Sequence, residues 1–259
     1  MRSERTNWRE YGDFEAYPTL ESYVQDQILR KYNTDDMSKA CDIHIERNIK
    51  PYIKKYSEDK YYAYPSILKK EIDLFFIWYL PYILKIKNNS EIKKLRELLL
   101  SILKNNFIKN NYFVHRDFHI SNMMEYKEGS KNKIGIIDSQ DALIGSRAYD
   151  ILSLIDDVRI KTSPELKQKL LNYYLLLVKK EKNFNIEKFK KEFSILSVQR
   201  AMKIIGIFSR LFKRDKKSRY LKLIPYTWTI LNKRLEDPIF KEVRIIINQQ
   251  IKLRSNNVN

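Results

Sequence analysis

The sequence predicts a mainly α-helical fold with one small β-hairpin (α+β). Glycine is scarce, at 5 of 259 residues, whereas leucine, isoleucine and lysine are plentiful, which favours helices. Strand signals are confined to the middle of the chain, with apolar runs at 112–114 and 134–137 and a turn-rich cluster at 127–132. Hydrophobic residues make up 43% of the chain, which is enough to bury a core in one large or two small domains.

Apolar spacing and helix-breaking residues predict the helices before the hairpin. One helix is expected over 36–50, where it ends before a proline, and a second over 66–80, which breaks at Pro81. Ser90 is expected to cap a third helix, whose leucine and isoleucine residues share one face. The apolar run 74–84 is much shorter than the roughly 20 residues of a membrane-spanning helix.

After the hairpin, the pattern predicts a loop followed by further helices. The small and polar residues 139–147 predict the loop. Tyr149 opens the next helix, and Asp156 and Asp157 are expected to form its solvated end. Further helices are expected over 163–180, over 186–212 and from residue 237.

The polar stretch after the first strand-like run predicts a phosphoryl-transfer site. Asp117 and Asn122 stand five residues apart, as in the protein-kinase pattern H-R-D-L-x-x-x-N, and the second strand-like run leads into Asp138. Phosphoryl transfer needs an in-line acceptor hydroxyl, a proton acceptor beside it and Mg²⁺ on the phosphate oxygens. Asp117 is the candidate base, and the side-chain oxygens of Asn122 and Asp138 suit Mg²⁺. His115 and Arg116 are expected to hold the loop in shape.

Two other interpretations of this stretch remain open. If it were helical, His115 and His119 would stand at i and i+4 with Asp117 between them, an arrangement that could bind zinc. Against this, the preceding run is strand-like, and the single cysteine of the chain is remote. The stretch could also be an ordinary surface turn with chance motif residues, although Asn122 and Asp138 both stand at motif positions.

The stretch 113–157 resembles the aminoglycoside phosphotransferase and choline kinase families, which have a protein-kinase-like fold. The phrases that carry the resemblance are H-R-D-F-H-x-x-N at 115–122, I-D-S-Q-D-A at 137–142 and Y-D-I-L-S-L at 149–154. They are most similar to bacterial anomeric kinases of N-acetylmuramate and N-acetylglucosamine, as are segments 71–82 and 199–211. Ser139 stands where that family has phenylalanine, a change expected to affect packing more than metal binding.

The resemblance implies the C-terminal lobe of such a kinase, which would phosphorylate a sugar or amino-sugar hydroxyl with ATP and Mg²⁺. His119 and Asp150 would then support the catalytic loop, and Asp150 also fits an N-terminal helix cap. Gln140 and Asp141 would either touch the acceptor or form a plain loop. A polar patch within 186–212 is interpreted either as acceptor-binding or as a solvated stripe, and it comprises Gln199, Arg200 and Lys203.

The N-lobe of such kinases supplies a phosphate-covering loop and a lysine, and neither is recognisable in this sequence. Gly12 is the only glycine before the catalytic loop. Residues 1–34 are therefore interpreted as a hinge-like remnant, 35–253 as the C-lobe and 254–259 as a disordered tail. The alternative to a complete kinase is an inactive or split-gene C-lobe fragment that needs a separate N-lobe chain.

The net charge of +18 raises nucleic acid and anionic membranes as partners. Lysine is spread over the whole chain, however, and no alternation of aromatic and basic residues of the kind that stacks bases is present. No dedicated nucleic-acid or membrane partner is therefore expected. The polar start of the chain and its single cysteine, Cys41, predict a cytoplasmic protein without a signal peptide or an internal disulfide.

Overall fold

A computed structural model of the chain describes residues 63–106, 112–139, 141–181 and 184–252. These residues form seven helices of seven or more residues and four short strands, with shorter 3₁₀ and π-helical segments between them. The helices are α1 (Ala63–Leu74), α2 (Ser90–Asn106), α3 (Ala148–Ile155), α4 (Pro164–Val178), α5 (Ile186–Lys213), α6 (Ile224–Arg234) and α7 (Lys241–Ile247). The strands are β1 (Tyr112–Val114), β2 (Met123–Glu128), β3 (Lys131–Ile136) and β4 (Leu143–Gly145).

Helix α1 continues through a π-helical segment, Phe75–Tyr79, and a final α-helical turn, Leu80–Tyr82. The helix predicted over 66–80 is therefore confirmed, although Pro81 lies inside its last turn. Gly206 of α5 packs against the junction between α1 and the π-helical segment. A Cβ atom on Gly206 would stand 2.6 Å from the backbone nitrogen of Phe75, so only glycine permits this close approach of the two helices.

Helix α5 is the centre of the hydrophobic core. It packs against α1, the π-helical segment, α3 and α6. Asn185 caps its first turn, since the side-chain oxygen accepts a hydrogen bond from the backbone N–H of Lys188 at 2.9 Å. Buried apolar residues, among them Phe189, Leu196 and Met202, occupy most of its length, so α5 is enclosed by its neighbours rather than lying on the surface.

The strands form two separate antiparallel pairs. β2 pairs with β3 from Met123↔Ile136 to Glu128↔Lys131, which confirms the predicted hairpin. β1 pairs with β4, which the sequence analysis did not predict. The loop expected over 139–147 is wrong for residues 143–145, which form β4. Its hydrogen-bonding partner lies about thirty residues earlier in the sequence, and a three-residue strand has too little alternation to be recognised locally.

Asp156 and Asp157 do not form a solvated helix end, as the sequence analysis expected, because they are only 4% and 3% exposed. Arg234 donates two hydrogen bonds to the Asp156 carboxylate, at 3.0 and 3.2 Å, and Lys167 and Ser197 donate at 3.1 and 2.7 Å. Burial alone would raise the pKa of Asp156, but Arg234 and Lys167 outweigh it and hold the pKa below its ordinary value. One carboxylate thus ties the end of α3 to α4, α5 and α6.

The predicted helix starts at Ser163 and Asp237 are confirmed. Their side chains accept hydrogen bonds from the first turns that follow, at 3.2 and 3.1 Å. For α2 the cap is Asn89 rather than Ser90, since the Asn89 side-chain oxygen accepts from the N–H of Ile92 at 2.9 Å. The expectations for 1–34, 36–50 and 254–259 concern residues outside the described part of the chain.

None of the helices within the described residues combines the length and the apolar character that crossing a lipid bilayer requires.

Candidate active site

Strand β1 leads directly into residues 115–122, the candidate catalytic stretch, whose first residues are held by Asp150. The Asp150 carboxylate accepts hydrogen bonds from the backbone N–H groups of His115 and Arg116, at 2.7 and 3.0 Å. Arg147, and not Asp150, occupies the N-cap position of α3. Burial raises the pKa of Asp150 to about 6. The hydrogen bonds from the two N–H groups favour the carboxylate form and lower the pKa, but burial outweighs them. The side chain is therefore arranged to support the loop rather than to cap the helix.

Both the backbone and the side chain of Arg116 are fixed by neighbouring residues. Its φ of 71° lies in the left-handed region, which is unfavourable for a residue with a side chain. Its guanidinium forms a short ion pair with Glu71 of α1 and donates a hydrogen bond to the carbonyl oxygen of Asp141 at 3.1 Å. Arg116 therefore links three segments, namely α1, the catalytic stretch and the loop that follows Asp138.

The two candidate metal ligands meet at the open end of the β2–β3 hairpin. Asn122 immediately precedes β2, and Asp138 follows β3 by two residues. The backbone N–H of Ile137 donates to the carbonyl oxygen of Asn122 at 3.0 Å, which extends the pairing by one step towards Asp138. The Asn122 amide nitrogen donates to the carbonyl oxygen of Asp117 at 3.0 Å. This bond orients the amide, so its oxygen is the atom available to a cation.

His115 and His119 are buried, and both have a lowered pKa. Burial lowers the pKa of His115 despite the carboxylates of Asp117 and Asp138 nearby. Burial, together with the positive charge of Arg159, lowers the pKa of His119 to about 4. Both rings are therefore neutral at neutral pH.

The arrangement on which the zinc interpretation depends is not found. Residues 115–119 follow β1 as an irregular loop rather than a helix, so the i, i+4 geometry of the two histidines does not arise. In the described part of the chain, no group of three or more His, Cys, Asp or Glu side chains could hold a metal ion. The His115 ring instead packs edge-to-face against Phe118, at 6.3 Å between centroids.

The polar patch on α5 is buried, so its interpretation as a solvated stripe is wrong. Gln199 and Arg200 are 1% and 5% exposed. The Gln199 amide and the Lys203 ammonium both contact the carboxylate of Glu71, at 2.8 and 2.7 Å. Lys203 also donates to the hydroxyl of Tyr149 at 3.3 Å, and Arg200 donates to the carbonyl oxygen of Asp156 at 3.5 Å. These internal contacts favour a structural role over acceptor binding for the three residues.

Two residues just after Asp138, Gln140 and Asp141, were predicted as possible acceptor contacts. Gln140 lies outside the described residues. Asp141 is exposed, and its carbonyl oxygen accepts the hydrogen bond from Arg116 described above. Ser139, at the position where phenylalanine was expected, is fully buried. The segment therefore presents one exposed carboxylate, that of Asp141, close to the catalytic stretch.

The arrangement of a catalytic stretch, a hairpin and an acidic residue agrees with a comparison against known protein families. Residues 78–187 match the phosphotransferase enzyme family. The match covers Asp117, Asn122, Asp138 and Asp150, and it ends in the first turn of α5. The resemblance predicted from the sequence is thereby confirmed. The mainly α fold with small antiparallel sheets is consistent with the C-terminal lobe of such a kinase-like protein.

Several curated relatives have the same name, N-acetylmuramate/N-acetylglucosamine kinase. The protein from Caulobacter vibrioides is 32% identical over 133 residues, which are 51% of this chain and 36% of the relative. The protein from Pseudomonas aeruginosa is 31% identical over 167 residues, 62% of this chain and 47% of the relative. The protein from Neisseria meningitidis is 34% identical over 119 residues, 44% of this chain and 34% of the relative. The chain thus spans about a third to a half of the length of these relatives.

Glu71 was not among the residues predicted for this site. A signal was nevertheless present, because Glu71 falls on the same helical face as the buried residues Leu68, Ile72 and Phe75. A carboxylate on an apolar face must be paired when it is buried. Its partners could not be named from the sequence, since Arg116 and Gln199 follow 45 and 128 residues later.

Proposed function

We propose that the chain is a cytoplasmic kinase that transfers a phosphoryl group from ATP, with Mg²⁺, to a hydroxyl of a sugar or amino sugar. The main support is the meeting of Asn122 and Asp138 at the open end of the hairpin, with the Asn122 amide bonded to the backbone of Asp117. Relatives named N-acetylmuramate/N-acetylglucosamine kinase support those two amino sugars as acceptors.

Asp117 is the proposed base. Its carboxylate takes the proton of the acceptor hydroxyl while that oxygen bonds to the γ-phosphorus and the bond from phosphorus to the leaving ADP breaks. The proton then passes to solvent, which a partly exposed side chain can reach. The backbone of Asp117 is fixed because its carbonyl oxygen accepts bonds from both the His119 N–H and the Asn122 amide, each at 3.0 Å.

Asn122 and Asp138 fit Mg²⁺ by their chemistry. Mg²⁺ prefers hard oxygen ligands and keeps several waters, so one carboxylate and one amide oxygen are a sufficient protein contribution. The bond from the Asn122 amide nitrogen to Asp117 presents the amide oxygen for this purpose, and Asp138 is exposed. When bound, the ion would neutralise the charge on the phosphate oxygens.

Acceptor contacts are proposed for the segment immediately after the metal ligand. Asp141 is exposed, and a carboxylate can accept hydrogen bonds from sugar hydroxyls. Gln140 is proposed as a second contact, since an amide can both donate to and accept from an acetamido group. Both residues follow the proposed metal ligand Asp138 within three positions of the sequence.

Exposed apolar residues favour a second candidate, in which a separate N-lobe chain completes the enzyme. Phe113 on β1 and Ile120 on the stretch that follows it are 37% and 51% exposed, and Ile134 and Ile136 on one face of β3 are 60% and 38% exposed. Large side chains of this kind around one site are typical of a surface that another molecule covers. A nucleotide-binding lobe on a second chain would cover them.

The test is a phosphoryl-transfer assay with Mg²⁺–ATP and the purified full chain. N-acetylmuramate, N-acetylglucosamine and an aminoglycoside are offered as acceptors, and Asp117→Asn is the control. Transfer to an amino sugar that is lost in the control is the expected result. Transfer that appears only after the N-terminal part of the Caulobacter relative is added would favour the two-chain candidate. The proposal fails if Asp117→Asn transfers phosphate as fast as the wild type.

A further inference from the structure

Glu71 has a buried carboxylate that binds two positively charged side chains, those of Arg116 and Lys203, where the catalytic stretch faces the helices. It is 7% exposed. Its oxygens contact the Arg116 guanidinium, the Lys203 ammonium at 2.7 Å and the Gln199 amide at 2.8 Å. Burial would raise the pKa of Glu71, but Lys203 and Arg116 hold it below its ordinary value, so the carboxylate is ionised at neutral pH. The residue precedes the range that matches the phosphotransferase family.

The partner that matters most is Arg116, because it stands directly before the proposed base, Asp117. Its left-handed backbone is unfavourable for a residue with a side chain and persists only where the surroundings enforce it. Asp150 holds the backbone N–H of Arg116, and Glu71 holds the side chain. The same guanidinium donates to the carbonyl oxygen of Asp141. Glu71 therefore orients the Arg116 guanidinium. This group connects the residue next to the proposed base, Asp117, to the segment that follows Asp138.

We propose that Glu71 is a positioning residue for phosphoryl transfer. By fixing the Arg116 guanidinium, Glu71 keeps Asp117 and the segment after Asp138 in a fixed position relative to each other. Lys203 and Gln199 hold Glu71 in turn, so α5 acts as the rigid support of the site. This inference rests on the proposed kinase function.

Kinetics of Glu71→Gln test the proposal against a purely structural role. The amide keeps the shape but loses the charge that holds Arg116, and small displacements of reacting groups are costly, so kcat is expected to fall by about tenfold or more. The KM values for ATP and the amino sugar are expected to stay within about twofold, since Glu71 is buried and its carboxylate is bound by Arg116, Lys203 and Gln199. Glu71→Asp, which keeps the charge on a shorter side chain, should recover part of the lost rate.

Glu192→Gln is the matched control for burial. Glu192 is a carboxylate on α5 with 5% exposure. It accepts a hydrogen bond from the Ser146 hydroxyl at 2.5 Å and pairs with Lys188, whereas Arg116 pairs with Glu71. This variant is expected to lose stability but to keep kcat. Equal losses of kcat in Glu71→Gln and Glu192→Gln would overturn the proposal, as would a Glu71→Gln enzyme with unchanged kcat.

Hydrogen exchange of residues 115–122, followed by mass spectrometry, provides a readout that does not need activity. Glu71→Gln should accelerate exchange of the N–H groups of Arg116 and His119, which are bonded to Asp150 and Asp117. Glu192→Gln should leave them protected. If the wild type transfers no phosphate, the proposed function fails, while this comparison still decides whether Glu71 fixes the loop 115–122. Unchanged exchange in Glu71→Gln would overturn that role.

Discussion

Replacing Asp156 by asparagine is expected to lower the free energy of unfolding by about 3 kcal/mol at pH 7. The buried carboxylate of Asp156 accepts two bonds from Arg234, one from Lys167 and one from Ser197. Removing one partner of a buried ion pair costs about 3–5 kcal/mol. The lower end applies here because the side chains of Arg234 and Lys167 are 24% and 20% exposed and regain some hydration.

The pH dependence of this effect has a definite sign. The folded-state pKa of Asp156 lies below its ordinary value of 3.8, so its contribution is fully present above that value and is lost as the pH falls through the lower, folded-state pKa. The assay is urea denaturation of the wild type and Asp156→Asn, followed by circular dichroism from pH 7 down to pH 3. Asp215→Asn is the control, because Asp215 pairs with Arg214 on the surface and its loss should leave the midpoint unchanged. Coinciding midpoints of wild type and Asp156→Asn at pH 7 would show that the Asp156 carboxylate does not stabilise the fold.

Three further predictions concern the helices and the loop support. Gly206→Ala should lower the free energy of unfolding by about 1–3 kcal/mol in urea, since its methyl group meets the backbone of Phe75. Trp228→Phe removes the donor that meets the Tyr79 hydroxyl at 2.7 Å and should cost about 1–2 kcal/mol in the same assay. Asp150 has a folded pKa of about 6, above its ordinary 3.8, so the wild type should lose stability relative to Asp150→Asn as the pH rises from 4 through 6. A pH-independent difference in stability would contradict the last prediction.

The parts of the fold that the sequence could predict are those with a local cause. The β2–β3 hairpin follows from two apolar runs around a turn, and α4 follows from Ser163 ahead of Pro164. Asp117, Asn122 and Asp138 could be singled out because their spacing is set by that same local chain path.

The parts that could not be predicted depend on contacts between distant segments. Asp156 looks like a solvated helix end until Arg234, 78 residues later, is found beside it. Gln199 and Lys203 look like a surface stripe until α1 covers them with Glu71. The sequence around Asp156, Gln199 and Lys203 does not reveal whether their partner is water or another side chain, because the partners lie far away along the chain, so only the tertiary structure decides between the two.

The proposed metal site is tested by the dependence of phosphoryl transfer on Mg²⁺ concentration in the wild type and Asp138→Asn. If Asn122 and Asp138 hold the ion beside Asp117, transfer by the wild type requires Mg²⁺, and the variant needs far more Mg²⁺ for a much lower maximal rate. Asp73→Asn is the control, since Asp73 pairs with Arg96 at 2.6 Å between α1 and α2. Transfer that proceeds without Mg²⁺, or that depends on Mg²⁺ equally in wild type and Asp138→Asn, would show that Asp138 does not hold a catalytic ion.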